Sequence, residues 1–282
     1  MFANLSIHAL GHGADLVQTI PLAAESGFEG IDLPLEEVAT MDRPEEANEW
    51  VRAAGLRWGG FGLPTEFRSG QAVYDKGMEQ LARWAPTARR ADCNRCYLWI
   101  SPGHNEMDFK TQFDFYVRRL GPIAALLADH GVRLGLEFIG PRTLRETYRH
   151  PFIHTIEGML ELCDAVSAGR GGVGLLLDSF HWWTSGATAA DLLELLNNEK
   201  IVYVHVNDGR AGRSRDEQMD LERDLPCATG LIDATTFVSS LRRLEYDGPV
   251  TAEPFLPELD DLPADEAVKR TADSVRKMLS LG

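Results

Sequence analysis

Arg133–Pro141 reads RLGLEFIGP, Val173–Trp183 reads VGLLLDSFHWW, Ile201–Asp208 reads IVYVHVND and Val250–Phe255 reads VTAEPF. Each is a short, nearly continuous apolar run that carries a costly polar residue near its C-terminal end. Strands buried on both faces read this way, and they occur mainly in parallel sheets. Runs of the same kind lie at Phe2–His8, Gly30–Leu33, Leu56–Gly62 and Cys96–Ile100. Eight runs in 282 residues recur about every 35 residues, which is the repeat of an eightfold strand–helix alternation.

Amphipathic stretches separate the runs. ADLVQTIPLAAESG and FDFYVRRLGPIAALLADHG end in Gly27 and Gly131, as helices stopped by a left-handed glycine do. TAADLLELLNNEK sets Leu192, Leu193, Leu195 and Leu196 on one broad face, and DATTFVSSLRRLEYDG opens on an Asp and closes on a Gly. Gly27, Gly55, Gly131 and Gly248 each directly precede an apolar run. The expected fold is therefore α/β, a single (β/α)8 TIM barrel over residues 1–282, rather than an open sheet. HALGHGAD follows the first run in place of G-x-G-x-x-G, which argues against a dinucleotide fold. The irregular stretch Asn207–Gly230 is long enough for an active-site loop.

The charge narrows the function. With 28 Lys+Arg against 43 Asp+Glu the chain carries −15, so neither nucleic acid nor an anionic membrane surface is an expected partner. No apolar run approaches the roughly 20 residues that span a bilayer, and MFANLSIHALGHG lacks the basic and apolar regions of a signal peptide. The cytoplasm is the expected compartment. The pair Cys93 and Cys96 has no second Cys pair at zinc spacing, so both read as buried thiols.

Active sites of barrels lie at the C-terminal ends of the strands. There the sequence places Glu137, Asp178, His205 and Glu253, on four consecutive runs. A lone Glu in a strand is usually an edge residue and a lone His a satisfied core residue. Three carboxylates and an imidazole at matching ends are another matter, because each is costly to bury unpaired and one divalent cation offsets them together. An oxygen-rich set with one nitrogen suits Mn²⁺ first, with Mg²⁺, Co²⁺ or Zn²⁺ as alternatives.

At these residues the chain resembles the sugar phosphate isomerase/epimerase family, also described as xylose-isomerase-like barrels, which includes ketose 3-epimerases and inosose dehydratases. The resemblance implies that Glu137, Asp178, His205 and Glu253 are metal ligands, that Glu137 and Glu253 also act as an acid/base pair, and that His181 meets the substrate. DEQMDLERDLPCATGLID is similar to a family stretch R-x-L-P-G-x-G, with Cys227 and Ala228 in place of the first Gly and its neighbour. In sugar epimerases of the family an Arg shortly after the metal His holds the substrate. Here Ala211 falls near that place, with Arg210 and Arg213 beside it.

Further candidates follow from position. His8 ends the first run and points to the mouth, and Asp208 orients either a ligand or the loop. Trp182 and Trp183 either stack on a sugar or pack. Trp58, Phe61, Trp99 and Phe255 offer an apolar wall shared with the core. Glu66 and His104 lie in loops at the same end, and Arg210, Arg213 and Arg215 form either an anion site or a solvated loop. The expected partner is a small sugar or keto-sugar, with homo-oligomerisation left open. The primary reading is an isomerase or epimerase that moves a proton next to a carbonyl through an enediolate. A dehydratase using the same cage is the alternative, an endonuclease IV-like phosphodiesterase a remote one, and a non-catalytic binding barrel a further one.

Overall fold

The computed structural model describes residues 1–282. All eight runs contribute to one parallel sheet, built from β1 (Phe2–Leu5), β2 (Gly30–Ile31), β3 (Arg57–Trp58), β4 (Phe61–Gly62), β5 (Arg95–Ile100), β6 (Arg133–Phe138), β7 (Val173–Asp178), β8 (Ile201–Val206) and β9 (Pro249–Ala252). The strand order is β3-β2-β1-β9-β8-β7-β6-β5-β4. β3 and β4 are two halves of one stave, interrupted at Gly59 and Gly60, so the chain itself closes the ring. Glycine is required at the second of these positions, because a Cβ on Gly60 would lie 2.7 Å from the Tyr203 ring.

The strand interiors carry the alternation that a barrel requires. On β8 a bulge between Ile201 and Tyr203 lets Val202 lie against Gly135 and Gly174 inside the barrel, with Tyr203 and His205 also facing inward, while Val204 and Val206 pack outward. The outer coat is made of helices. These are α1 (Leu16–Ser26), α2 (Pro44–Ala53), α3 (Gln71–Arg90), α4 (Phe109–Asp129), α5 (Ile156–Ser167), α6 (Ala189–Leu195), α7 (Ala234–Arg243) and α8 (Ala264–Leu279). Gly27 and Gly131 adopt φ of 83° and 73° just after α1 and α4, the left-handed stop that only glycine takes without a steric cost. Asp233 caps α7 by accepting from the Thr236 amide at 2.9 Å.

Several element ends differ from the sequence reading. β1 stops at Leu5, because Ile7–Leu10 forms a 3-10 turn closed by Gly11 at φ 77°; His8 therefore sits in a turn, not on a strand. β9 stops at Ala252, because the Glu253 amide donates to Asn207 Oδ1 at 2.9 Å and Pro254 has no N–H to extend the ladder. Gly248 is not the stop of α7 either. That reversal occurs at Glu245, with φ 57°, and Gly248 instead leaves room for the Tyr246 hydroxyl, which a Cβ would meet at 2.4 Å.

Candidate metal centre and active site

Register brings the four sequence-selected ligands to one level. His205 pairs with Asp178 across β7 and β8, and with Thr251 on β9, two residues before Glu253. Glu137 pairs with Trp99 on β5. All four offer a donor atom, and these atoms lie within 4.8 Å of one another. His205 Nδ1 stands 3.3 Å from Glu253 Oε2 and 3.6 Å from Glu137 Oε1. Glu137, Asp178 and His205 are buried, and Glu253 is half-buried at the rim.

A scaffold of neutral groups holds the cage. Asn207 Nδ2 donates to both Asp178 oxygens at 3.1 and 3.3 Å, while its Oδ1 takes the Glu253 amide. The Phe180 amide donates to Asp178 Oδ1 at 2.6 Å. One asparagine thus ties β7, β8 and the end of β9. Two donor atoms stay without partners although buried: Glu137 Oε1 and His205 Nδ1. Unsatisfied buried polar atoms are costly, and a divalent cation is the group that this three-carboxylate, one-imidazole set fits.

The electrostatics fit a site built for positive charge. Burial raises Glu137, to about 8, with the negative charges of Glu253 and Asp178 adding to the effect. Burial opposes charge on His205, yet Glu253 and Glu137 beside it raise its pKa well above the usual imidazole range. Burial also works against Glu253, but the His205 and Arg223 charges hold it below the usual carboxylate range.

Arg223 is the residue that sequence reasoning missed. It is buried, and its Nη1 donates to Asp178 Oδ2 at 2.8 Å and Glu253 Oε2 at 3.2 Å. Its Nη2 donates to Asp220 Oδ1 at 3.0 Å, and its plane lies over Phe180 and Phe255. Asp220 is a further carboxyl at the mouth, with its pKa raised chiefly by burial. The only sequence signal for Arg223 was its place at the head of R-x-L-P.

His181 is buried with its ring beside the cage. The Gly140 amide donates to Nδ1 at 3.2 Å. Burial, helped by the Arg223 charge, pushes its pKa well below the usual range, so the ring is neutral. A neutral imidazole accepts at only one nitrogen, and the fixed backbone donor claims Nδ1. Nε2 then carries the proton, 3.8 Å from Glu137 Oε1 and 3.7 Å from Asp220 Oδ1. The nearby Arg223 Nη2, at 3.2 Å from Nε2, is a contact between two donors.

Two expected substrate residues are turned to other work. Asp208 is buried, and its carboxylate accepts from the amides of Gly209, Thr229, Gly230 and Ile232 at 2.8, 2.9, 2.8 and 3.1 Å. It orients the loop, and its acceptor capacity is spent there. Arg210 pairs with Glu258 at 3.1 Å and Asp224 at 3.6 Å, away from the cage. Arg213 is likewise taken by Glu222 and Arg215 faces Asp216, so each arginine of the run has an acidic neighbour.

Of the other candidates, Trp99 and Phe255 line a cavity of about 490 Å³ over the cage, together with Glu137, Asp220, Arg223 and Glu253. Trp58 and Phe61 are core, and the Trp182 indole N–H is tied to the Thr188 carbonyl at 3.1 Å. Trp183 packs near Gly209. Glu66 accepts from the Arg68 and Ser69 amides, and His104 Nδ1 from the Glu106 and Met107 amides. Cys93 and Cys96 are buried free thiols. No helix is long and apolar enough to cross a membrane.

Solved structures share this arrangement of strands, and other proteins share part of the sequence. An inosose isomerase of Halalkalibacterium halodurans is 32% identical over 169 residues, which is 58% of this chain and 54% of that protein. The chain thus spans about half the length of the inosose isomerases it matches. A xylose isomerase domain protein from Alicyclobacillus acidocaldarius superposes with a TM-score of 0.85 at 27% identity, over 99% of this chain and 98% of that one. The IolI protein, solved with a bound zinc atom, superposes with a TM-score of 0.80 at 19% identity over 99% and 98%. The xylose isomerase-like TIM barrel family model matches residues 20–278. With the ring of strands, the helical coat and that match in agreement, this chain belongs to the xylose isomerase-like TIM barrel family.

Proposed function

We propose that residues 1–282 form one barrel domain that is a divalent-metal-dependent isomerase or epimerase, acting on a sugar or keto-sugar by moving a proton next to a carbonyl. The observation that carries this reading is the convergence of Glu137, Asp178, His205 and Glu253, with two ligand atoms buried and unpartnered. Similarity to inosose isomerases supports the carbonyl-sugar substrate class. Manganese is the first expectation for the ion, with magnesium, cobalt or zinc as alternatives; the zinc in IolI supports the site without choosing among them.

When bound, the ion supplies Lewis-acid polarisation of a carbonyl and its neighbouring hydroxyl. The protein supplies the rest. Glu137 and Glu253 both border the cavity, and they exchange the proton at the carbon next to the carbonyl. Asp178 and His205 lie between them in strand order and hold the ion. His181 donates its Nε2 proton to a substrate oxygen, with Gly140 fixing the tautomer. Arg223 anchors Asp178 and Glu253 and presents positive charge to the cavity. Asp208 and Arg210 act in the loop rather than on substrate, and His8 borders a separate opening.

The test is turnover of a panel of ketoses, 3-keto-sugars and inososes with metal restored after chelation, in D₂O. Deuterium should appear next to the carbonyl. Full activity after exhaustive chelation, with elemental analysis showing no metal, sinks the metal mechanism. The dehydratase remains the second reading because of one observation: Asp220 is a half-buried acid at the mouth, its pKa raised chiefly by desolvation, separate from the cage. Protonation of a β-hydroxyl there turns the same proton abstraction into loss of water. An unsaturated product from an inosose, absent in Asp220→Asn, selects that reading.

A further inference from the structure

A second opening lies on the β1–β2 side of the mouth. It encloses about 260 Å³, and its walls include Ser6, His8, Ala14, Asp32, Pro34 and Tyr97. Tyr97 and Gly62 also border the opening that contains Glu137, His205 and Glu253. The two spaces therefore adjoin at Gly62 and Tyr97.

Asp32 is the chemically marked residue of this wing. Its Oδ1 accepts from Asn4 Nδ2 at 2.9 Å and the Tyr203 hydroxyl at 2.7 Å, and its Oδ2 accepts from the Tyr97 hydroxyl at 2.7 Å. A carboxylate has about four acceptor positions, so one remains, on Oδ2, in a residue that forms the cavity wall. Two tyrosines and an asparagine from three other strands hold the carboxylate in one orientation. Ser6 adds a hydroxyl and His8 an imidazole along the same wall.

Charge decides what can enter. No Lys or Arg lines this wing. The start of α1, which supplies Leu16 and Thr19 to the wall, is no anion site, because two of its first three amides already meet carboxylates. The Leu16 amide donates to Glu37 Oε1 at 3.1 Å, and the Gln18 amide to Asp15 Oδ1 at 2.8 Å. A phosphate group here meets the Asp32 carboxylate and no Lys or Arg, an arrangement that repels it. A neutral hydroxyl can donate to Asp32.

Building on the isomerase reading, we propose that this wing is a subsite for the hydroxyls of a neutral polyol, remote from the reacting carbon, and that it excludes sugar phosphates. Asp32 is its specificity-determining residue.

The test is calorimetric binding to the metal-loaded full chain, with an inosose, fructose, fructose 6-phosphate and dihydroxyacetone as probes. Dihydroxyacetone reaches only the cage. Asp32→Asn should weaken inosose binding about tenfold or more and leave dihydroxyacetone within about twofold. Because Asp32 joins a buried network, Ala14→Phe provides a second route: it fills the wing from a lining residue that is not part of that network, and the same selective loss is expected. Wild type should bind fructose at least about a hundredfold more tightly than its 6-phosphate. The proposal is overturned if Asp32→Asn and Ala14→Phe bind the inosose like wild type, if the phosphate binds as well as fructose, or if wild type binds neither neutral ketose. Turnover, measured separately, keeps the two readings apart. Asp32-dependent binding of a ketose that is never turned over supports the subsite and overturns the isomerase assignment; turnover indifferent to Asp32 does the reverse.

Discussion

The two halves of the barrel are built differently. From β5 to β8 every strand is six residues long, and β5 and β6 pair over their whole length. From β1 to β4 the pieces are four, two, two and two residues. Three of the four cage ligands stand on the long strands, and the fourth follows β9 by one residue. A site that must hold four donor atoms to within tenths of an ångström needs a rigid ladder beneath it. The short half gives up ladder length and gains the wing beside Asp32, where its backbone is locked through side chains instead. Asn4, Asp32, Tyr97, Tyr203 and Thr251 supply there what hydrogen-bonded strands supply opposite.

This contrast can be broken first at the carboxylates of the cage. Glu137→Gln and Glu253→Gln keep an oxygen near the ion but remove the base, so each should lower turnover about 10²- to 10⁴-fold with some metal retained. If both retain metal and near-normal turnover, the base lies elsewhere, and His181 is the next residue to substitute.

A smaller effect is expected from the support beneath the ligands. Asn207→Ala touches no substrate but removes the link between Asp178 and Glu253. Metal affinity should fall about 10- to 100-fold, as read by competition with a chelating dye. An unchanged affinity means the ladder alone holds the cage.

The cage should also release protons when it fills. Glu137 has its pKa raised to about 8 and His205 is raised as well, so near neutral pH the metal-free cluster carries extra protons. A ligand must be deprotonated to bind. Metal affinity should therefore rise as pH increases from 6 toward 8, and binding enthalpies in buffers of different ionisation heat should show at least one proton released. No buffer dependence removes the basis for the raised values.

The smallest effect belongs to the loop arginine. Arg210→Ala breaks partly exposed ion pairs with Glu258 and Asp224, and pairs in contact with solvent are worth little. Activity should stay within about twofold and stability within roughly 1 kcal/mol. A large loss in kcat/KM without a stability change would return Arg210 to the substrate.

The cluster of Glu137, Asp178, His205 and Glu253 was legible because a charged or imidazole side chain inside an apolar run is a rare expense that leaves a visible mark. Asp32 obeys the same rule, since it stands at the end of the run Gly30–Leu33. What the sequence conceals is the set of partners, which come from three other strands and follow no periodicity. Arg223 is hidden more deeply. Within DLERDLP it reads as a solvated charge, and only closure of the loop, with the Arg223 amide donating to the Pro254 carbonyl at 3.1 Å, carries it into the cage. The same limit applies to Asp208 and Arg210. Their neighbours were in view, but which of them each side chain would pair with is a property of the folded loop.

Asp208 makes that loop unusual in another respect. Its carboxylate gathers the amides of Gly209, Thr229, Gly230 and Ile232 beneath the surface, in a stretch with little helix or strand. Charge-assisted bonds of this kind are among the stronger ones. A hydrogen–deuterium exchange map should therefore show an island of slow amides at these positions, bordered by fast ones around Gly212 and Leu221. The segment that would be taken for the loosest part of the barrel would exchange in part like its sheet.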